Sequence, residues 1–160
     1  MEKTNVMRVL DQKKIKYEVL GYNGTEALPG EEAARLLGVD PATMFKTLVT
    51  VGKSGANYVF VVPVCGELDL KKAASAVEEK NIEMIKSKEL LPLTGYVHGG
   101  CSPIGMKKRL RTVFDESARL LPLMIFSGGR IAHFVRLAPA DAEKAVELTY
   151  APLCRTEEGV

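Results

Sequence analysis

The sequence predicts an α+β domain built on a mixed, curved sheet that helices partly close. Three observations carry that reading. Segments with strand and helix character are interspersed without strict βαβ alternation. A length of 160 residues fits one domain, taken as 1–160, with a proper core, and 155–160 read as a frayed tail. Hydrophobic residues make up 46% of the chain and charged residues 26%, the balance of an ordinary globular protein.

Each element has a local cause. Thr4 is placed to cap a first helix with Val6, Val9 and Leu10 on one face. Lys13 to Lys16 end it, and 17–22 read as a strand before the Asn23-Gly24 turn. Pro29-Gly30-Glu31-Glu32 opens a second helix, whose acids suit the positive end of its dipole. Ala33, Ala34, Leu36 and Leu37 are its core candidates, and Gly38 suits the position just past its end. Asp40-Pro41 starts a short helical turn that delivers Phe45-Lys46-Thr47. Strands over 48–51 and 58–64 follow, joined by the hairpin-like 53–57. Asp69 caps a helix over 70–79 with Ala73, Ala74 and Val77 inward, and Ser87 begins a short helix to Leu91. Beyond a glycine-rich segment come strands over 111–115 and 123–126, a tight turn at Ser127-Gly128-Gly129, and a last strand over 130–137. Pro139 stands near the start of a closing helix over 140–148.

Composition excludes several classes of function. The net charge of +2 means that a nucleic-acid partner would be held by a local patch rather than a global field. The longest apolar runs, such as 58–65, are too short to span a bilayer, and the opening residues carry no apolar leader. Cys65, Cys101 and Cys154 form no CxxC pair, and their odd number points to a reducing cytoplasm. No Cys/His cluster has zinc spacing, and no phosphate-binding glycine motif follows a strand, so neither metal nor cofactor is expected.

Chemistry concentrates in three places. The segment Gly95-Tyr96-Val97-His98-Gly99-Gly100-Cys101-Ser102-Pro103-Ile104-Gly105 holds four glycines and runs into Lys107-Lys108-Arg109-Leu110-Arg111. It is either a backbone-lined cradle with a cationic flank or a long turn with a solvated basic exit. Lys46, ahead of an apolar strand, is either an edge gatekeeper or an ammonium aimed into a cleft, where it would act electrostatically. Ser127-Gly128-Gly129 is either a hairpin turn or a source of backbone donors. A Cys101 nucleophile with His98 as base lacks an orienting third residue, and the paired acids read as helix-terminal or solvated. With no persuasive triad, an enzyme of this sequence would work by positioning and by dipoles, borrowing a group from its substrate.

At these residues the chain resembles the YbaK/EbsC family of bacterial trans-editing proteins, relatives of the editing domain inserted in bacterial prolyl-tRNA synthetases. The match rests on Phe45-Lys46-Thr47-Leu48, Gly66-Glu67-Leu68-Asp69-Leu70-Lys71-Lys72, the segment from Gly95 to Lys108, Phe114-Asp115-Glu116-Ser117-Ala118 and Phe126-Ser127-Gly128-Gly129-Arg130, in that order. The resemblance implies a barrel-like mixed sheet and a cytoplasmic deacylase of Cys-tRNA(Pro) that works beside prolyl-tRNA synthetase, with no DNA or membrane partner. It implies that Lys46 holds the terminal adenosine's phosphate or the ester region, and that the backbone of Gly100 and Cys101 faces the carbonyl. Tyr22, Thr47, Gly99, Ser102, Pro103, Ser127, Gly128 and Gly129 would line the substrate, and Lys107, Lys108 and Arg109 would meet tRNA phosphates. The family mechanism uses the substrate's own thiol as nucleophile, which suits the scarcity of catalytic groups. Phe134 stands where the family carries an aspartate, Pro29 where it has an aromatic residue, and Cys101 where it has a branched aliphatic one. These departures bear on the edited amino acid; the alternatives are Ala-tRNA(Pro)-type editing and a non-catalytic tRNA- or synthetase-binding module.

Overall fold

The computed structural model describes residues 2–156. Helix α1 (Asn5–Gln12) begins where the Thr4 hydroxyl accepts from the Met7 N–H, and it buries Val6, Met7 and Leu10. Strand β1 (Glu18–Gly21) follows, then α2 (Gly30–Leu37), which buries Ala33 and Ala34. A 3-10 turn, Pro41–Thr43, capped by Asp40, leads into the hairpin of β2 (Phe45–Gly52) and β3 (Asn57–Pro63). Helix α3 (Leu70–Ala76), whose first N–H groups bond the Asp69 carboxylate, is followed by β4 (Ile82–Met84) and α4 (Ser87–Thr94). Strand β5 (Arg111–Asp115) and the 3-10 turn Glu116–Leu120 precede the hairpin of β6 (Met124–Arg130) and β7 (His133–Leu137). Helix α5 (Pro139–Ala145) and β8 (Leu148–Ala151) complete the order.

The strands form two sheets, β4-β2-β3-β5-β8 and β1-β7-β6. The first is mixed, because β3/β5 and β5/β8 pair in parallel while β2/β3 and β2/β4 are antiparallel. The second is antiparallel throughout. A parallel bridge between Met44 and Ile125 joins them. The largest core cluster fills the space between their facing surfaces, with Phe45, Val49, Val61 and Phe114 from one sheet, Met124, Phe126, Val135 and Leu137 from the other, and α1 alongside. The α+β class is as expected, although the single mixed sheet that the sequence suggested is two sheets joined by one bridge. On the outer face of the larger sheet, Phe60, Val62 and Val113 pack against Ala73, Ala74 and Val77 of α3. On the outer side of the smaller sheet, Ile125 and Phe134, with Met44, pack against Ala33 and Ala34 of α2.

Several boundaries differ from expectation. The closing helix stops at Ala145, because Val146 turns extended and Leu148 pairs with Thr112 as a new parallel strand. Strand β4 was not anticipated: three residues are too few to show alternation, and pairing with Thr50 to Gly52 sets them. The helix expected over 70–79 ends at Ala76, and Glu78 adopts φ 58°. Ser127-Gly128-Gly129 is not a tight turn but part of β6. It holds a register shift between Ser127 and Arg130, and the reversal falls at Ile131 and Ala132, the latter with φ 70°.

Candidate functional site

Lys46 lies on β2 opposite Val62, in a strand where successive side chains alternate faces. Met44 belongs to the cluster under α2, and Leu48 packs on the cluster under α3. Lys46, between them in sequence and on the same face, therefore occupies the seam between the two outer clusters. It is half-buried, and no carboxylate pairs with it among the described residues.

The Met44–Ile125 bridge explains what stands beside it. The pairing is parallel, so Lys46 and Ser127, each two residues further on, leave the bridge on one side. Ser127 is paired with Phe134 across β6/β7, and the Phe134 ring lies 6.1 Å from that of Tyr22. Tyr22 is held in turn: its hydroxyl donates to the Glu26 carbonyl at 3.1 Å and accepts from the Leu28 N–H at 3.4 Å. Lys46, Ser127 and Tyr22 thus come together around an aromatic wall that Phe134 supplies.

The other side of the seam was not visible in the sequence. An antiparallel bridge brings Cys154 to Leu68, and a side chain at Gly66 would approach the Cys154 Sγ to 3.2 Å. Burial, then the nearby Asp115 carboxylate, push the Cys154 thiol up to about 12, against which the Lys46 charge acts. The Asp115 carboxylate is itself buried and engaged, accepting from the Leu153 N–H at 2.9 Å and from the Ser117 hydroxyl at 2.6 Å. No local motif links positions so far apart in sequence.

The glycine-rich segment closes one end of this region by backbone contact. Gly99 has φ +85°, and a Cβ there would overlap that of Ala27. A Cβ at Gly100 would stand 3.1 Å from the Ile131 N. Both glycines are thus required for docking the loop onto the 27 region and the β6–β7 turn. The Gly100 N–H, expected to face a carbonyl, donates instead to the Val97 carbonyl at 2.9 Å.

Four other expected contacts turn away from Lys46. Thr47 shares its face with Phe45 and Val49, toward the interior, and its Oγ1 is buried without a partner. Cys101 is buried in the interior cluster, and desolvation pushes its thiol up to about 12, so it supplies no thiolate at neutral pH. Ser102 is fully buried, its hydroxyl accepting from the Ile104 N–H at 3.3 Å. Gly129 also faces the interior, near Val6 and Tyr96, and its N–H donates to the Ser127 hydroxyl at 3.1 Å. Gly128 lies against the backbone of His133 and Phe134. Pro103 lines a separate concavity of about 800 Å³ that does not include Lys46. Lys107, Lys108 and Arg109 are exposed. Among the described residues, no three His, Cys, Asp or Glu side chains gather as a metal site, and no helix is long and apolar enough to cross a membrane.

A half-buried ammonium without a counter-ion among the described residues, set at a junction of two sheets with the protonated Cys154 thiol nearby, is arranged to attract an anion or a polarised carbonyl. The chain belongs to the aminoacyl-tRNA editing domain family, whose model matches residues 26–145. Over 139 residues, 86% of this chain and 85% of the relative, it is 43% identical to a protein of Enterococcus faecalis assigned as a Cys-tRNA(Pro)/Cys-tRNA(Cys) deacylase, EbsC. The crystal structure of a protein assigned as a trans-editing enzyme for prolyl-tRNA synthetase superposes with a TM-score of 0.84 at 26% identity, covering 95% of this chain and 96% of that one. The hypothetical protein APE2540 shares the fold at a TM-score of 0.86 and 22% identity, covering 95% and 100% of the two chains.

Proposed function

We propose that this chain acts as a single cytoplasmic editing domain that removes cysteine from mischarged tRNA(Pro), alone or beside prolyl-tRNA synthetase. One observation carries the reading: the Lys46 ammonium has no acidic partner among the described residues, and neither Cys101 nor Cys154 offers it a thiolate. An ester held there meets a positive charge but no nucleophile from Cys101 or Cys154.

The substrate's own thiol fills that role. Its sulfur attacks the ester carbonyl, the carbon–sulfur bond forms, and the bond to the ribose oxygen breaks. The thiol proton ends on that oxygen, so the tRNA leaves with a free hydroxyl and the cysteine as a cyclic thioester that water opens. An intramolecular nucleophile carries a high effective molarity, and the protein has mainly to orient it. Lys46 draws charge onto the carbonyl oxygen or holds the adjacent phosphate. Ser127 and the Tyr22–Phe134 pair bound the aminoacyl group, and Gly99 and Gly100 keep the loop docked. Lys107, Lys108 and Arg109 meet the acceptor-arm phosphates.

The test compares Cys-tRNA(Pro), Ser-tRNA(Pro) and Ala-tRNA(Pro) under single-turnover conditions. Loss of the cysteinyl ester alone supports a borrowed thiol, since serine is nearly isosteric and lacks only the sulfur. Equal loss of serine or alanine overturns it in favour of water attack on a broader range of small side chains.

A further inference from the structure

Lys13 is almost a hundred residues from the Lys107–Arg109 run, yet the fold brings them to one depression. The concavity of about 800 Å³ is lined by three stretches distant in sequence: Lys13 just past α1, the segment from Pro103 to Thr112, and the end of α5 with the start of β8. Its lining carries Lys13, Lys108, Arg109, Arg111 and Lys144. Against these stand two carboxylates, Glu143 and Glu147, of which Glu143 accepts from the Tyr150 hydroxyl at 2.7 Å. Lys144 is paired with Asp141, and Arg111 reaches the Ala76 carbonyl at 3.4 Å. Lys13, Lys108 and Arg109 have no ion pair among the described residues.

Uncompensated cations gathered in a hollow repel one another and focus a positive potential. A hollow receives a convex polyanion, whereas a bilayer is flat and is engaged by protruding basic and apolar groups. The groove is also tied to the Lys46 region by one strap of chain. The loop whose Gly99 and Gly100 dock on Ala27 and the β6–β7 turn becomes a groove wall by Pro103, with Gly105 fastened by the Asn5 side chain at 2.9 Å. Eight residues separate Gly100 from Lys108, so their Cα atoms lie at most about 29 Å apart. One short strap of chain thus links the loop docked beside the β6–β7 turn to the groove wall.

We propose that this groove seats the phosphate backbone of the tRNA acceptor arm, and that Lys13 and Lys144 contribute to the seat together with Lys108 and Arg109. The inference rests on the tRNA deacylase reading and adds Lys13 and Lys144, which lie outside the basic run evident in the sequence. The contact is to phosphates, so it is salt-sensitive and indifferent to base sequence.

The experiment titrates an uncharged tRNA(Pro) transcript against wild type, Lys13→Ala, Lys144→Gln and the double variant at graded KCl. Thermal melts confirm the fold, and Lys53→Ala, in the β2–β3 connection outside the groove, serves as control. Each groove substitution is expected to raise Kd about fivefold and to lessen the slope of log K against log salt by about 1, while Lys53→Ala changes neither. A double variant with unaltered Kd and slope overturns the proposal. So does Lys13-dependent capture by anionic phosphatidylserine vesicles with no effect on tRNA. If no aminoacyl ester is hydrolysed by wild type, the deacylase reading fails by itself, and the uncharged-tRNA titration still decides the groove.

Discussion

Removing the Lys46 charge isolates the electrostatic part of the mechanism. Lys46→Met keeps much of the aliphatic stem beside Val62 and Leu48 while deleting the ammonium, so packing and charge are separated. An ammonium about 4 Å from a developing oxyanion contributes about 4 kcal/mol at an effective dielectric near 20. Loss of one such preorganised group costs about 10²- to 10³-fold in rate. The expected kcat/KM on Cys-tRNA(Pro) is therefore reduced about 100- to 1,000-fold, with the residue of activity supplied by orientation of the substrate thiol. Stability should change by no more than about 1 kcal/mol, because no carboxylate loses a partner. A second readout is internal: with the Lys46 charge gone, the Cys154 thiol, already raised to about 12, should titrate higher still. Single-turnover hydrolysis of labelled Cys-tRNA(Pro) reads the rate, a thermal melt reads stability, and the pH dependence of Cys154 modification reads the thiol. A Lys46→Met protein that melts like wild type and retains kcat/KM within threefold would refute the electrostatic role.

Three further outcomes are expected. Cys101→Ala should keep deacylation within about threefold while losing about 1 kcal/mol in urea unfolding, since a small buried side chain is trimmed and no nucleophile is lost; a hundredfold loss of turnover in a folded variant would restore a thiol mechanism. Gly99→Ala should destabilise by about 1–3 kcal/mol, from its positive φ and the overlap with Ala27, and should lower activity by shifting the loop; an unchanged melting temperature would contradict the docking described. Alkali should unfold the protein in a defined window. Folding raises the Cys101 and Cys154 thiols from 9.0 to about 12, which favours their neutral forms. Their contribution is complete below pH 9 and is lost as pH rises toward 12, and Tyr96, raised from 10.0 to about 12, acts in the same direction. Denaturant melts between pH 8 and 11 should show falling stability, and a disulfide reagent at pH 8 should modify exposed Cys65 ahead of the other two.

The elements set by local chemistry were legible in the sequence. Thr4 and Asp69 cap the helices they were expected to cap, and Gly38 takes the left-handed conformation just past α2. What failed was decided by distant partners. Leu148 continues a plausible helical spacing after Ala145, but parallel pairing with β5 pulls it into a strand. Ser127-Gly128-Gly129 carries turn residues, yet pairing with β7 keeps it in a bulged strand. The candidate site divides in the same way. Lys46 announced itself as a cation ahead of an apolar run. That Thr47 faces the opposite side follows from the strand beginning at Phe45 rather than Leu48, since each step along a strand reverses the face. Cys154 could not be paired with Lys46 from spacing, because the bridge to Leu68 that delivers it depends on the completed fold.

The segment from Leu148 to Arg155 has a consequence for synthesis on the ribosome. It supplies the outermost strand beside β5, gives the Leu153 N–H to the buried Asp115, the Leu153 carbonyl to the Asp69 N–H, and the Arg155 N–H to the Glu67 carbonyl. Helix α3 adds a bond from the Lys72 ammonium to the Cys154 carbonyl at 2.8 Å. None of these groups finds its partner until residues 148–155 have left the exit tunnel. A nascent chain halted near residue 147 would carry an open strand edge at β5 and a buried carboxylate short of a donor, both features that recruit chaperones and invite association. Native packing around Lys46 thereby waits for residues 148–155, and chains stopped upstream of Leu148 should aggregate rather than give a weakened enzyme.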